Sequence, residues 1–123
     1  MQKRILIIDD IEFILDFEEK AIESVKNDLG LSFIVDKAST VSDAKELIEK
    51  QVYDLIICDM NLPDGTGTEI AKFATEIDTN TRIAALTIYP QRYEHERAYF
   101  DAFFKKPILP SVFKENLRLL LGV

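Results

Sequence analysis

"YDLIICD", residues 53–59, decides the fold. Leu55, Ile56, Ile57 and Cys58 are apolar without a break, so a strand made of them has no face for water and must be covered on both sides, as in the middle of a parallel sheet. Asp59 stands at the carboxyl end of this central strand. "NLPDGTG", residues 61–67, then reads as a loop from its Asn, Pro and Gly content.

Working outward, the same alternation of short apolar runs and longer amphipathic stretches repeats. Arg4 to Ile8 is a first strand, and the helix after it carries Ile14, Phe17, Ala21, Ile22, Val25 and Leu29 at three- and four-residue spacing before Gly30 ends it. Phe33 to Asp36 is a second strand; Thr40 with Asp43 forms a capping box for a helix with Val41, Ala44, Leu47 and Ile48 inward. Beyond the central strand, a helix buries Ile70, Phe73, Ala74 and Ile77, and "RIAALT", residues 82–87, is a fourth strand. Pro90 breaks the chain, "QRYEHERAY" has room for about two helical turns, and "DAFF" is a short fifth strand. The last helix runs from about Ser111 to Leu121, with Val112, Phe113, Leu117, Leu120 and Leu121 as its inner face. Five strand-helix units without a repeat or linker make one domain, residues 1–123, of the doubly wound α/β class.

Composition narrows the function. With 47% hydrophobic and 30% charged residues, the chain is globular, and a net charge of -7 repels phosphate backbones and anionic membranes. Nucleic acid and membrane are therefore not expected partners. One cysteine excludes an internal disulfide, and the absence of a signal pattern or a long apolar run points to the cytoplasm.

Ligands of open parallel sheets bind beyond the carboxyl ends of the strands, where the strand order reverses. There this sequence places Asp9 and Asp10 after the first strand, Asp59 after the third, Thr87 after the fourth and Lys106 after the fifth. If the first and third strands are neighbours, the carboxylates meet, and each pair at ~5 Å repels by about 3 kcal/mol at an effective dielectric near 20. A divalent cation offsets this best, and an all-oxygen set without His or thiolate suits Mg²⁺ (or Mn²⁺). Such an ion keeps open positions for phosphoryl oxygens. Lys106 and Thr87 are suited to bind them, and Asp59 can itself attack phosphorus to give an aspartyl phosphate.

Taken singly, each residue has a plainer reading. Asp9 and Asp10 serve as helix caps, Thr87 as a strand residue, Lys106 as a surface charge, Phe103 and Phe104 as core, and Asn61 as a turn residue. His95, the one histidine, reads as a solvated surface residue, and Cys58 as a small buried hydrophobe. Only the gathering of acids, hydroxyl and amine at one edge favours the chemical reading.

"ILIIDD", "DLIICDMNLPDGTG", "AALT" and "KKP", in this order and at the ends of four expected strands, resemble the receiver domain of two-component response regulators, of flavodoxin-like fold, across the whole chain. The resemblance implies strand order 2-1-3-4-5 and no small-molecule cofactor. It implies that Asp59 accepts phosphate from a histidine kinase or a phosphotransfer protein, and that Asp10, Asp59 and the Asn61 carbonyl ligate Mg²⁺ while Asp9 acts through water. Thr87 and Lys106 would bind the phosphoryl group and Lys106-Pro107 would be cis. Thr87 and Phe103 would form the switch that reshapes the partner-binding face, read by a downstream protein or by an output domain outside this chain. Asn61 and Tyr89 take the places that tune phosphate lifetime, and Glu12 and Asp64 border the pocket. The domain would promote its own phosphorylation and dephosphorylation without being a conventional enzyme.

Three departures accompany the resemblance. Ile88 is bulkier than usual and is expected to crowd the route to Asp59. The stretch from Thr87 to Lys106 is short, and Tyr99 and Phe100 replace a common Gly-Ala pair, so the fourth helix is expected to be stunted or irregular. Competing readings are a receiver-like scaffold that binds partners without phosphate, and a Mg²⁺-dependent phosphohydrolase of the haloacid dehalogenase type. That enzyme family wants a second acid where Asn61 stands. A flavodoxin proper should have a Ser-, Thr- and Gly-rich phosphate loop where this chain has acids.

Overall fold

A computed structural model describes residues 2–106 and 109–123. The central strand of the sequence reading is β3 (Leu55–Asp59), and all five of its residues are buried. It lies between β1 (Gln2–Ile8) and β6 (Arg82–Thr87), with β2 (Ser32–Ala38) beyond β1 and β7 (Ala102–Lys105) beyond β6, so the sheet order is β2-β1-β3-β6-β7. Every pairing in this sheet is parallel. The expected order 2-1-3-4-5 is this order, because β4 (Asn61–Leu62) and β5 (Gly65–Thr66) form a separate two-residue antiparallel hairpin inside the "NLPDGTG" segment. What reads as plain loop in the sequence is thus a turn closed by a minimal ladder.

Alternation along each strand sends side chains to two cores. Ile5, Ile7, Leu55, Ile57, Ala84 and Leu86 meet Leu15, Ile22 and Val25 of α1 (Glu12–Leu29) and Phe113, Leu117 and Leu121 of α4 (Pro110–Leu121). Leu6, Ile8, Ile56, Cys58 and Ile83 meet Val41, Ala44 and Ile48 of α2 (Val41–Lys50) and Ile70, Ala71 and Ala74 of α3 (Gly67–Ile77). Helices therefore cover both faces, which is why β3 has no polar residue before its end. The chain reverses direction between β1 and β3, and that reversal opens a crevice at their carboxyl ends.

Local signals act largely where the sequence places them. Gly30 ends α1 with φ 64, a left-handed conformation that favours glycine, and the Thr40 hydroxyl accepts the Asp43 N–H at 3.0 Å to start α2. Asp64 is engaged with α2: its carboxylate accepts the Val41 and Ser42 N–H groups at 2.7 and 3.0 Å and caps that helix from the hairpin. Those two bonds hold its carboxyl below the usual aspartate range. Two expected core positions face water instead: Ile77, in the last turn of α3, and Val112, in the first turn of α4, are exposed. At a helix end the stripe no longer has sheet beneath it.

The fourth helix is the clearest departure, and the expectation of an irregular one is met. Pro90–Tyr99 is a 3-10 helix, interrupted at Tyr93 (φ -116, ψ 19), and none of its residues is buried. With "QRYEHERA" offering no apolar stripe, nothing draws this segment onto the sheet, and the tighter 3-10 geometry spans the gap in few residues.

Candidate functional site

The register of the central strands builds the site. Ile8 lies opposite Cys58 in the β1-β3 pairing, so the residues that follow them, Asp9 and Asp59, leave the sheet at the same level. Asp9 is tied to β2 through its N–H to the Ala38 carbonyl at 3.1 Å, and its Oδ1 accepts the Ile11 N–H at 3.0 Å. The helix-cap reading of Asp9 and Asp10 therefore fails in its simple form, since Ile11 is the cap residue and no side chain caps α1. Asp9 is fully buried, Asp59 is 7% exposed, and Asp10 faces solvent.

One carboxylate oxygen from each of Asp9, Asp10 and Asp59 lies within 4.8 Å of the others. Lys106, from the end of β7, reaches in among them: its Nζ donates to Asp9 Oδ2 at 2.6 Å and stands 3.2 Å from Asp59 Oδ2. Its backbone N–H donates to the Thr87 carbonyl at 2.8 Å, which binds the fifth strand's end to the fourth's. Thr87 is buried, and its hydroxyl accepts the Tyr89 N–H at 3.0 Å. Asp9, Asp10, Asp59, Thr87 and Lys106 all stand at this edge; Lys106 joins Asp9 and Asp59, and Asp10 brings a carboxylate oxygen within 4.8 Å of theirs.

Burial pulls the Lys106 ammonium down, but the Asp9 hydrogen bond and the Asp59 charge outweigh it and hold the lysine above its usual range. Burial lifts the Asp59 carboxyl, and Lys106 together with the Asn61 N–H, 3.2 Å from Asp59 Oδ1, only partly cancels that lift. For this pair the two directions conflict, because a salt bridge alone would lower the acid; loss of hydration is the stronger effect. Three carboxylates against one ammonium leave two negative charges, which a single divalent cation neutralises. An all-carboxylate donor set of this kind fits Mg²⁺.

Glycine shapes the floor. A Cβ on Gly67 would come within 2.8 Å of the Asp59 carbonyl oxygen, so only glycine lets the start of α3 approach the end of β3. Cys58, behind it, lies 3.9 Å from the Gly67 carbonyl oxygen; burial pushes its thiol well up, and it is packing rather than chemistry.

Asn61 is exposed, and its side-chain oxygen accepts the Tyr93 hydroxyl at 3.1 Å, so the 3-10 connector touches the rim of the site. Phe103 is half-buried, edge-on to Phe100 (5.6 Å between centroids, 77°), with the Arg97 guanidinium 5.3 Å from its ring centre. Ile88 is exposed and joins Ile11, Phe13, Ile14, Phe17 and Leu86 around an apolar cleft of about 470 Å³ that Lys106 and Glu18 also line. Glu12 borders a cleft with Asp9 and Asp10. His95 is exposed, as its polar neighbours imply. The Lys106-Pro107 bond lies outside the described residues. A cleft of about 720 Å³ lies between α3 and the end of the connector, where Arg82 and Asp101 are already paired at 3.4 Å. Size there does not coincide with chemistry.

Glu18 is the residue the sequence reading missed. It is 1% exposed, both its carboxyl oxygens lack a hydrogen-bond partner among the described residues, and burial, with Asp9 and Asp59 adding and Lys106 opposing, lifts its carboxyl well above the glutamate range. The signal was present: Glu18 is four residues from both Ile14 and Ile22, in the apolar stripe of α1.

Residues 5–118 match the family model of the response regulator receiver domain. The chain belongs to that family. It is similar to the response regulator protein PilR of Pseudomonas aeruginosa (30% identical over 72% of this chain and 18% of PilR) and to the transcriptional regulatory protein DltR of Streptococcus agalactiae (33% identical over 94% of this chain and 50% of DltR). It thus spans half or less of the length of these curated relatives. Among solved structures, a CheY-like response regulator receiver domain protein from Methanospirillum hungatei superposes with a TM-score of 0.86, at 29% identity, over 99% of this chain and 95% of that one. The chain is therefore a receiver domain of the kind that serves as a phosphorelay signalling module in two-component systems, and receiver domains are generally not conventional enzymes. Receiver domains bind Mg²⁺ at an acidic pocket and interact with histidine kinases or phosphotransfer proteins; the acidic cluster here is Asp9, Asp10 and Asp59. No helix among the described residues is long and apolar enough to cross a membrane.

Proposed function

We propose that residues 1–123 act as one receiver unit in which Asp59 is the phosphoacceptor, in the cytoplasm. An Asp59 carboxylate oxygen attacks the phosphorus of a phosphohistidine on a kinase or phosphotransfer protein; the new O–P bond forms as the P–N bond breaks, and the leaving imidazole takes a proton. Asp10, Asp59 and the Asn61 carbonyl would hold Mg²⁺ (or Mn²⁺), with Asp9 acting through water. The ion supplies neutralisation of the charge carried by the transferring group. Lys106 and the Thr87 hydroxyl bind phosphoryl oxygens, and hydrolysis at the same site returns the domain to rest. Ile88 slows the approach of the donor. Movement of Thr87 and Phe103 alters the face toward the connector, which a downstream protein or an output domain then reads.

One observation carries this reading: Lys106 Nζ lies 2.6 Å from Asp9 and 3.2 Å from Asp59, a cation already seated where a transferred phosphoryl group needs one. Intact mass after exposure to acetyl phosphate or phosphoramidate tests it. Wild type should gain one phosphoryl group with Mg²⁺ and none without, and Asp59→Asn should gain none in either case. A wild type that stays unmodified with Mg²⁺ would turn the reading toward a scaffold that works without phosphate.

A further inference from the structure

Glu18 is a physical anomaly. It occupies a core register of α1, where an apolar side chain would bury surface at no polar cost, and instead places a carboxyl with two unpartnered oxygens in the interior. A buried polar group without a partner costs about 1–3 kcal/mol, and native structures keep few of them. No structural return is visible, since the residue caps nothing and bridges nothing. What it does share is the cleft of Lys106, the two being the polar members of a wall otherwise made of Ile11, Phe13, Ile14, Phe17, Leu86 and Ile88.

A lysine ammonium has three N–H donors, and here Asp9 and Asp59 take the contacts within ion-pair range. When a cation and a phosphoryl group occupy the oxygens of those same acids, Lys106 turns from its present anchors to a phosphoryl oxygen, which leaves its other N–H donors to be held. We propose that Glu18 is the reserve acceptor of Lys106: a positioning residue whose carboxyl oxygen holds one ammonium N–H, keeping the lysine aimed at the acceptor while Asp9 and Asp59 are engaged. Glu18 is the one carboxylate beside Lys106 in that cleft among the described residues, so it is the acceptor the cleft itself offers the lysine. This rests on the phosphoacceptor reading above, and the lifted carboxyl of Glu18 agrees with a group held in reserve without a present partner.

Two measurements on the full chain decide it. The first is the phosphorylation rate against phosphoramidate concentration at saturating Mg²⁺ for wild type, Glu18→Gln and Glu18→Leu. Glu18→Leu should lower the maximal rate about tenfold, the usual minimum for losing a residue that orients a ligand, with the half-saturating donor concentration unchanged. Glu18→Gln, which keeps an acceptor oxygen, should recover part of that loss. The second is NMR of the Lys106 ammonium with Mg²⁺ and no donor: its proton exchange should be faster in Glu18→Leu than in wild type. Equal maximal rates and equal exchange in all three proteins would overturn the role. If wild type takes up no phosphoryl group, the phosphoacceptor reading falls by itself, and the exchange measurement alone still decides whether Glu18 holds Lys106.

Discussion

The carboxyl edge of the sheet and the connector Pro90–Tyr99 touch through the hydrogen bond from Tyr93 to Asn61 and are built on opposite terms. At the edge, Asp9, Glu18, Asp59 and Thr87 are all buried; backbone groups and one lysine engage the polar groups of Asp9, Asp59 and Thr87, while Glu18 is buried without a partner among the described residues. In the connector nothing is buried, and the contacts are surface pairs such as Arg92 over the Tyr89 ring at 4.3 Å and Arg97 over Phe103 at 5.3 Å. The first region spends stability to hold charge in a fixed geometry. The second carries so little packing that it can rearrange at small cost.

The largest test of that contrast removes the cation. Lys106→Ala leaves Asp9 and Asp59 facing each other in a buried site, so stability without divalent ions should fall by about 3 kcal/mol. Added Mg²⁺ should restore much of it by binding only the folded state. Urea midpoints with and without Mg²⁺ read both effects, and a variant as stable as wild type in chelator would mean that the edge is not electrostatically strained.

A smaller effect belongs to Glu18, and its sign follows from linkage. The folded carboxyl holds its proton more tightly than the unfolded one, whose ordinary value is near 4.5, so wild-type stability declines as pH rises through that value toward the folded one. Glu18→Leu removes this decline and fills the stripe. The variant should exceed wild type by about 1–3 kcal/mol at mildly acid pH, with the gap widening as pH rises. Asp59, also lifted, and Lys106, which titrates far higher, face Glu18 along with Asp9 but are present in both proteins and cancel in the difference. A gap that narrows with rising pH would contradict the assignment.

The smallest effect should come from the connector. Tyr93→Phe deletes its bond to the rim and should cost under about 1 kcal/mol, too little to move a thermal midpoint far. Amide exchange is the sensitive measure: the connector should exchange faster while β3 stays protected. If β3 loosens as well, the two regions are mechanically coupled and the contrast is overstated.

Much of this was legible before any coordinates. An unbroken Leu55–Cys58 run needs cover on both faces, and the residues at the strand ends then fall on one edge by topology alone. The short Thr87–Lys106 stretch, with Tyr99 and Phe100 in place of a Gly-Ala pair, announced an irregular connector. Glu18 was not legible in the same way: its position said core and its charge said surface, and the helical period cannot arbitrate. Ile77 and Val112 fail for a related reason, since a stripe does not reveal where the sheet beneath it stops. Nor does composition show that "NLPDGTG" closes a hairpin or that Asp64 turns back to cap α2.

What the sequence determined by itself was the layered α/β architecture and the set of acids, hydroxyl and amine at one rim, because hydrophobic period and strand polarity are local properties of the chain. Only the tertiary structure decided which carboxylates Lys106 joins, that Glu18 stands buried in the same cleft, and that Tyr93 reaches Asn61. Those depend on how far each helix is rotated over the sheet, a quantity set by the packing of all the layers together.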